Sequence, residues 1–234
     1  MKQPHHGPVK PASTLAPLRL WRLELDVEAG IEAELRRTLS SEELARAEAF
    51  ADRKARRRYA VARGTLRELL GSLLGERPGS VPIEEGPRGK PRLAGAGQEL
   101  HFSVSRSGDV ALVCIAGGRA VGVDLEALRP VPSAVAIARR RFAPAEARFV
   151  EEGGPAETDR RFLRCWTRKE AVAKAIGTGL DIDLRGFIVP LGRSGGVVSA
   201  GDSAHPAAGW LVADVAVGDG HVAALAMPAP ARPG

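Results

Sequence analysis

Hydrophobic positions recur along this chain with two different periods, and each period predicts a different element. Over residues 53–74 the apolar side chains share one face of a 3.6-residue repeat, which predicts a long amphipathic helix with an apolar face made of Tyr59, Ala62, Leu66, Leu69, Leu70 and Leu73. Over residues 110–116 the apolar positions are continuous instead, which predicts a buried strand. A second long helix is predicted from Asp159, which can cap its start, to Ile176, because Gly177 supplies a left-handed stop.

Shorter helices are predicted between and around these elements. Ser40 and Glu43 have the spacing of a capping box, which predicts a helix that runs to about Phe50. Two further helices are predicted at residues 133–141 and 144–151, and a proline opens the second of them.

The predicted strands are short and are separated by turn residues. The run at 120–126 follows a glycine turn, so it is predicted to be the hairpin partner of the strand at 110–116. Other strands are predicted at 18–27, 100–104, 187–191, 196–200, 210–217 and 221–227. Helices that alternate with short strands and hairpins predict an α+β fold with mainly antiparallel sheets.

Proline positions predict the domain organisation. Residues 1–17 carry four prolines and few large apolar groups, so they are predicted to be a flexible leader. Two more prolines interrupt the chain at 130–132, which predicts a boundary between an N-terminal lobe at 18–128 and a C-terminal lobe at 129–228, followed by a tail at 229–234.

The charge balance favours an anionic partner. The chain has 34 Lys and Arg against 28 Asp and Glu, so its net charge is +6 over 234 residues. Aromatic residues make up only 4% of the chain, which argues against a stacking platform for single-stranded nucleic acid. Phosphorylated small molecules and acidic proteins therefore remain the better candidates.

The two cysteines and the absence of long apolar runs point to the cytoplasm. Cys114 and Cys165 lie inside apolar stretches and form no metal-binding pattern, so both are predicted to be reduced core thiols. The sequence shows no signal-peptide core and no apolar run near the ~18–20 residues that span a bilayer. The protein is therefore expected not to associate with a membrane. No metal-dependent role is expected for these two cysteines.

A dense group of cations opens the first long helix. Six basic residues fall within eleven positions, and part of the group is expected to be an ordinary solvated face; its members are Arg53, Lys54, Arg56, Arg57, Arg58 and Arg63. Because like charges repel, a bound polyanion would explain the rest. A nucleic-acid-binding module is therefore an alternative, although no helix-turn-helix or aromatic RNA motif accompanies the cluster.

Four polar residues in two segments point to metal-assisted phosphate chemistry. Asp124 and Glu126 are two apart on a predicted strand and leave the same face, where a cation can neutralise them. Glu170 and Lys174 lie one turn apart on the second long helix, and would add a third carboxylate and an ammonium. Oxygen ligands of this kind suit Mg²⁺, whereas a solvated strand end is the simpler alternative. No GxxxxGK[ST] loop occurs, which argues against a P-loop NTPase.

These residues resemble the signature motifs of a known family. Gly122-Val123-Asp124-Leu125-Glu126 and Trp166-Thr167-Arg168-Lys169-Glu170-Ala171, followed by Lys174, are similar to the paired motifs of 4′-phosphopantetheinyl transferases of the surfactin-synthetase-activating (Sfp) type. Three other segments match the family in the expected order, namely Gly89-Lys90-Pro91-Arg92-Leu93, Phe102-Ser103-Val104-Ser105 and Arg141-Phe142-Ala143-Pro144-Ala145-Glu146. The resemblance covers residues 15–227.

The resemblance implies a fold and a reaction. The fold would be a pseudo-twofold monomer of two similar lobes, each with a small, mainly antiparallel sheet packed on a long helix and with coenzyme A (CoA) between them. The reaction would transfer phosphopantetheine from CoA to a serine of an apo acyl or peptidyl carrier protein, which is typically acidic, and release 3′,5′-ADP. No nucleic acid partner is implied.

The resemblance also implies roles for individual residues. Asp124, Glu126 and Glu170 would bind Mg²⁺, or Mn²⁺ in its place, and Glu170 would deprotonate the carrier serine directly or through a water. Lys174 would contact the pyrophosphate and assist the leaving group, so Glu170, Lys174 and Asp124 form the catalytic set. CoA would be bound by Asp124 and Lys174 together with Arg53, Lys54, Arg58, Lys90, Ser103, Ser105 and Arg106.

One position departs from the family pattern. The family usually has Ser-His-Ser where this chain has Ser105-Arg106-Ser107. Arginine can contact phosphate bidentately, so CoA binding and activity are expected to survive the change. The alternative is a protein that binds CoA without transferring phosphopantetheine because Arg106 alters the pocket.

Overall fold

The computed structural model describes residues 17–86, 89–95, 99–177, 181–192, 195–202 and 204–230. The predicted leader, apart from its last residue, and the end of the predicted tail lie outside the described residues, as does the middle of the turn before Gly89. By their contacts the described residues form two compact units, one of residues 25–82 and one of residues 18–24 with 83–230.

The first unit is helical. It contains α1 (Ala29–Arg37), α2 (Ser41–Glu48), α3 (Arg53–Leu74) and a short 3₁₀ turn (Pro78–Ser80). The predicted capping box of α2 and both predicted ends of α3 are confirmed, whereas α1 was not foreseen. α1 packs closely on α3 at Gly64, where an added Cβ would lie only 2.6 Å from the Leu35 carbonyl oxygen.

A buried charge network joins α2 and α3 within this unit. Glu43 accepts hydrogen bonds from the Arg63 guanidinium and, at 2.6 Å, from Arg67 Nε. Arg67 is 2% exposed and also donates to three backbone carbonyls that follow α3. Burial alone would raise the pKa of Glu43, but the hydrogen bonds from Arg67 and from the Ser40 N–H, together with the charge and hydrogen bond of Arg63, hold that pKa below its ordinary value.

Among the described residues, the second unit contains three helices and all the strands. Its helices are α4 (Ala134–Arg141), α5 (Pro144–Glu151) and α6 (Gly154–Ile176). Its strands are β1 (Arg19–Glu24), β2 (Ile83–Glu85), β3 (Pro91–Leu93), β4 (Leu100–Ser107), β5 (Val110–Gly117), β6 (Gly122–Ala127), β7 (Phe187–Ile188), β8 (Gly196–Val197), β9 (Ser199–Ala200), β10 (Trp210–Asp214) and β11 (His221–Pro228). Helices and strands therefore occur at most of the predicted positions.

The described strands pair in antiparallel sheets, as expected. One sheet has the order β1-β5-β4 and another the order β6-β11-β10-β8, while β2 pairs with β3 and β7 with β9. β5 is buried along its whole length at the centre of the first sheet. The α+β fold class is confirmed, and no helix among the described residues is long and apolar enough to span a bilayer.

The predicted hairpin between β5 and β6 is wrong. β5 already uses both edges, with β1 on one side and β4 on the other, so it offers β6 no edge. The chain instead crosses to the second sheet, where β6 pairs with β11. The lobe boundary expected at residues 128–129 stays a prediction. The paired strands β6 and β11 come from opposite sides of this boundary in the sequence.

α6 begins five residues earlier than predicted. It starts at Gly154 with Pro155 in its first turn, so Asp159 lies inside the helix and does not cap it. Proline suits a first turn because its fixed φ is helical and its missing N–H is not needed there. The predicted end is confirmed, since Gly177 has a φ of 82° at the C-cap.

Candidate active site on β4, β6 and α6

Glycine at the start of β6 lets α6 lie directly on the strand. A Cβ added at Gly122 would be 2.0 Å from the Ala171 carbonyl oxygen and 2.4 Å from the Ala175 nitrogen. Both atoms belong to the helix backbone, which cannot move aside locally without breaking its hydrogen bonds. This close approach brings the last two turns of α6 over the face of β6 that carries Asp124 and Glu126.

Three serines of β4 bond to the free edge of β6. They occupy alternate positions, so all three hydroxyls leave the same face of β4. The backbone N–H groups of β6 donate to them at 2.9 to 3.3 Å, in the pairs Val123 to Ser103, Leu125 to Ser105 and Ala127 to Ser107. Hydroxyls therefore replace the carbonyl acceptors that a neighbouring strand would supply, and they fix β6 against β4.

Asp124 and Lys174 form the centre of the site. Lys174 Nζ donates to Asp124 Oδ1 at 2.7 Å and to Ser105 Oγ at 2.9 Å, and Ser105 Oγ donates to the same carboxylate oxygen at 2.8 Å. The Asp124 side chain is 7% exposed, while that of Lys174 is 29% exposed. The ammonium thus acts as a counter-ion for a nearly buried carboxylate.

Glu126 and Glu170 complete a group of mutually repelling carboxylates. Burial raises the pKa of Glu170 to about 7; the charges of Asp124 and Glu126 add to the rise and Lys174 opposes it. Burial also raises the pKa of Glu126, again with a contribution from Asp124. Carboxylates grouped this closely need a cation if all of them are to be ionised together.

The donor atoms of this group fit a divalent cation. Asp124 Oδ2 and Glu170 Oε1 are buried and have no hydrogen-bond partner among the described residues, although each atom could accept two bonds. No three His, Cys, Asp or Glu side chains in the described ranges already stand in the arrangement of a metal site. An all-oxygen set with unpartnered buried atoms suits Mg²⁺, which also keeps several waters of its own.

A buried ion pair that sequence reasoning missed holds α6 in place. Lys169 Nζ lies 2.8 Å from Glu146 Oε2, and both side chains are 0% exposed. Lys169 also donates to the carbonyls of Leu184 and Phe187 at 2.7 and 2.8 Å, and Glu146 accepts the Val189 N–H. The residue before Glu170 therefore anchors the helix in the core, and only the buried environment identifies this role.

Lys90 contacts the end of α6. Its Nζ donates to the backbone carbonyl of Lys174 and, at 3.3 Å, to that of Val121. The Lys174 carbonyl is one of the last four carbonyls of the helix, which receive no regular hydrogen bond from an N–H group of the helix itself. Burial, assisted by the charge of Lys174, lowers the pKa of Lys90 to about 8.

Arg106 lies between two of the site serines but on the other side of β4. Side chains alternate along a strand, so Arg106 leaves the face opposite to Ser105 and Ser107. It is exposed, whereas Ser105 is buried. Its proposed contact with a CoA phosphate stays a prediction.

The cationic cluster belongs to the first unit, and most of it has carboxylate partners. Arg58 forms two hydrogen bonds with Asp26, at 2.8 and 2.6 Å, and Lys54 lies 3.4 Å from the same carboxylate. Arg56, Arg57 and Arg63 pair with Glu48, Glu32 and Glu43. These partners remove much of the repulsion that argued for a polyanion, so the nucleic-acid alternative loses its main support.

Arg53 and Lys54 line an open depression at the start of α3. Asp26, Val27, Asp52 and Arg57 complete its wall. Arg53 forms no ion pair within the described part of the chain. The proposed role of these two cations toward the CoA 3′-phosphate stays a prediction.

Comparison with known proteins places these residues in a family context. The sequence model of the 4′-phosphopantetheinyl transferase superfamily matches residues 120–226, which include β6 and α6. The chain is 40% identical to the 4′-phosphopantetheinyl transferase HetI of Nostoc sp. strain PCC 7120 over 165 residues, or 70% of each chain.

Two Bacillus subtilis proteins are also similar. One, a 4′-phosphopantetheinyl transferase, is 26% identical over 175 residues, which are 75% of this chain and 76% of that protein. The other, the 4′-phosphopantetheinyl transferase Sfp of strain 168, is 30% identical over 109 residues, so the match covers 46% of this chain and 47% of the relative.

Proposed function

The chain belongs to the 4′-phosphopantetheinyl transferase superfamily, and we propose that it transfers the 4′-phosphopantetheine group of CoA to a serine of an apo acyl or peptidyl carrier protein, with release of 3′,5′-ADP. The observation that carries the proposal is the group formed by Asp124, Glu126, Glu170 and Lys174, with two buried carboxylate oxygens that have no partner among the described residues. This group lies inside the segment that the family matches.

The carboxylates would hold the metal. Asp124, Glu126 and Glu170 supply oxygen ligands, of which Asp124 Oδ2 and Glu170 Oε1 are available for Mg²⁺ or Mn²⁺. When bound, the cation would neutralise the pyrophosphate and make the attacked phosphorus more electrophilic.

Glu170 would act as the general base. The carrier serine Oγ forms a bond to the phosphorus that carries pantetheine, and the bond from that phosphorus to 3′,5′-ADP breaks. The hydroxyl proton passes to Glu170, directly or through a water. A carboxyl whose pKa is raised to about 7 accepts a proton more readily than an ordinary glutamate does.

Cations would bind the phosphates of CoA. Lys174, already at the carboxylates, would contact the pyrophosphate and stabilise the charge that develops on the leaving group. The other residues proposed to bind CoA are Arg53, Lys54, Arg58, Lys90, Ser103, Ser105 and Arg106. We expect the protein to act as a monomer and in the cytoplasm.

Intact-mass spectrometry of an apo-carrier protein tests the proposal. After incubation with this protein, CoA and Mg²⁺, we expect the carrier to gain one phosphopantetheine. EDTA should abolish the gain, and Glu170→Gln, which keeps the shape of the side chain but removes the base, should slow it by about 10²–10⁴-fold.

A matched variant separates the base from general damage to the helix. Glu157→Gln changes an exposed glutamate in the first turn of α6 and should transfer phosphopantetheine at the wild-type rate. CoA binding without any mass gain on several unrelated carriers would contradict the transferase proposal and favour the CoA-binding alternative.

A further inference from the structure

Ser105 uses the whole hydrogen-bonding capacity of its hydroxyl. A serine hydroxyl has one proton and two lone pairs. Ser105 Oγ accepts the Leu125 N–H at 3.3 Å and the Lys174 ammonium at 2.9 Å. Its single proton goes to Asp124 Oδ1 at 2.8 Å. Because both lone pairs receive N–H donors, the proton cannot turn toward another acceptor without losing one of these bonds.

Ser107 repeats this pattern at the next carboxylate. Its Oγ accepts the Ala127 N–H at 2.9 Å and donates to Glu126 Oε2 at 3.2 Å. A guanidinium nitrogen of Arg129 also lies 3.7 Å from the same oxygen, Oε2. Both partners therefore engage one oxygen of Glu126 and leave Oε1 outside these contacts.

We propose that Ser105 and Ser107 are positioning residues that select which oxygen of each carboxylate is presented to the divalent cation. The inference rests on the proposed function, because it assumes that Asp124 and Glu126 are metal ligands. At Asp124 the selection is complete: Oδ1 is bonded to both Ser105 and Lys174, while Oδ2 is buried without a partner among the described residues. At Glu126 the bond from Ser107 turns the carboxylate in the same way.

The same hydroxyls tie the position of each carboxylate to its own backbone. Each serine accepts the N–H of the residue that follows the carboxylate it bonds, so strand and side chain are held by one atom. A carboxylate fixed in this way loses less rotational freedom when it binds a cation, which strengthens binding.

Ser103 supplies a matched control on the same strand. It is 4% exposed and accepts the Val123 N–H at 3.0 Å, so it supports β6 as the other two serines do. Within the described residues it is bonded to no carboxylate. Ser103→Ala should therefore reduce stability without changing the carboxylates.

Mn²⁺ affinity in the absence of CoA tests the inference without relying on activity. Titration calorimetry with MnCl₂ should show about tenfold weaker binding for Ser105→Ala and for Ser107→Ala, the scale on which outer hydrogen-bond partners affect metal affinity. Ser103→Ala should bind Mn²⁺ like the wild type. Urea unfolding of each variant shows whether it is folded under the titration conditions.

Ser107→Thr keeps the hydroxyl at a half-buried strand position and should restore Mn²⁺ affinity. Ser105→Ala and Ser107→Ala variants that bind Mn²⁺ no more weakly than Ser103→Ala would overturn the inference. A folded Ser107→Thr variant as weak as Ser107→Ala would do so as well, because the hydroxyl would then not be the cause.

The outcomes separate this inference from the proposed function. Loss of Mn²⁺ affinity in the two serine variants, with no transfer to any carrier by the wild type, supports the inference and contradicts the function. Normal transfer by the wild type together with unchanged Mn²⁺ affinity in both variants overturns the inference and leaves the function in place.

Discussion

Adjacent residues of α6 lie in opposite environments. Lys169 is wholly buried, bonded to Glu146 and placed 4.1 Å from the centroid of the Phe187 ring. Glu170 and Lys174 point to the carboxylates of β6 instead. Successive helical residues are turned by about 100°, so one segment can anchor the helix and form the site at once. The sequence alone shows two lysines and a glutamate and gives no sign of which lysine is buried.

Removing the buried ammonium should destabilise the protein strongly. Lys169→Met leaves the Glu146 carboxylate in the core without a counter-ion, which costs about 3–5 kcal/mol. Burial already raises the pKa of Glu146, and Lys169 is the main influence that lowers it. In the variant this pKa therefore rises further, so the loss of stability should be largest at neutral pH and smaller at acid pH, where Glu146 becomes protonated. Urea unfolding at several pH values measures this.

An exposed ion pair provides the control. Arg139 pairs with Glu151 on the surface, and Arg139→Met should change the free energy of unfolding by less than about 1 kcal/mol at any of these pH values. A Lys169→Met effect equally small, or independent of pH, would contradict the role assigned to the buried pair.

At the scale of elements, the contact between α6 and β6 determines the site. Glu170 and Lys174 meet Asp124 only because the helix backbone rests on Gly122 without an intervening side chain. A strand that had stayed in a hairpin with β5 could not make this contact. The second sheet thus supplies Asp124 and Glu126, and the first sheet supplies the serines that fix these two carboxylates.

Gly122→Ala should separate the helix from the strand. A methyl 2.0 Å from the Ala171 carbonyl oxygen forces the two elements apart, which should cost about 1–3 kcal/mol or more and reduce transfer at least tenfold. Thermal unfolding and the intact-mass assay measure the two effects.

Gly30→Ala tests whether the effect is specific to the contact. A Cβ at Gly30 meets nothing within 4 Å, so this helical substitution should leave transfer unchanged and stabilise α1 by up to about 1 kcal/mol. Wild-type transfer by Gly122→Ala would refute the importance of the close approach.

At the scale of the whole molecule, the net charge of +6 bears on the proposed carrier partner. Five of the six clustered cations of α3 have carboxylate partners, so the excess charge does not come from that cluster alone. A basic protein attracts an acidic partner over distances of a Debye length, which raises the association rate more than the rate of chemistry.

Salt should therefore weaken carrier recognition selectively. Raising NaCl from about 50 to about 300 mM should lower kcat/KM for an acidic carrier by about tenfold and leave kcat nearly unchanged. A carrier variant with its acidic surface residues neutralised should show a much smaller salt effect. Equal salt effects on both carriers would contradict electrostatic attraction as the cause.

The sequence by itself determined most of the elements and singled out the residues proposed for the site. Apolar periodicity, the capping box of Ser40 and the stop at Gly177 depend on neighbours within one or two turns, so they could be recognised locally, and the ends of α3 were correct. The acidic and basic residues of β6 and α6 could also be chosen, because metal and phosphate chemistry restricts the residue types that serve it.

Only the tertiary structure decided how those residues meet. The transfer of β6 to a second sheet, the serine bonds between β4 and β6, and the burial of Lys169 with Glu146 all join residues that are distant in sequence. Such contacts depend on which edges are free and which side chains are enclosed once the chain has folded. No local pattern carries that information, because the same short motif can join either sheet and its side chains can be buried or exposed.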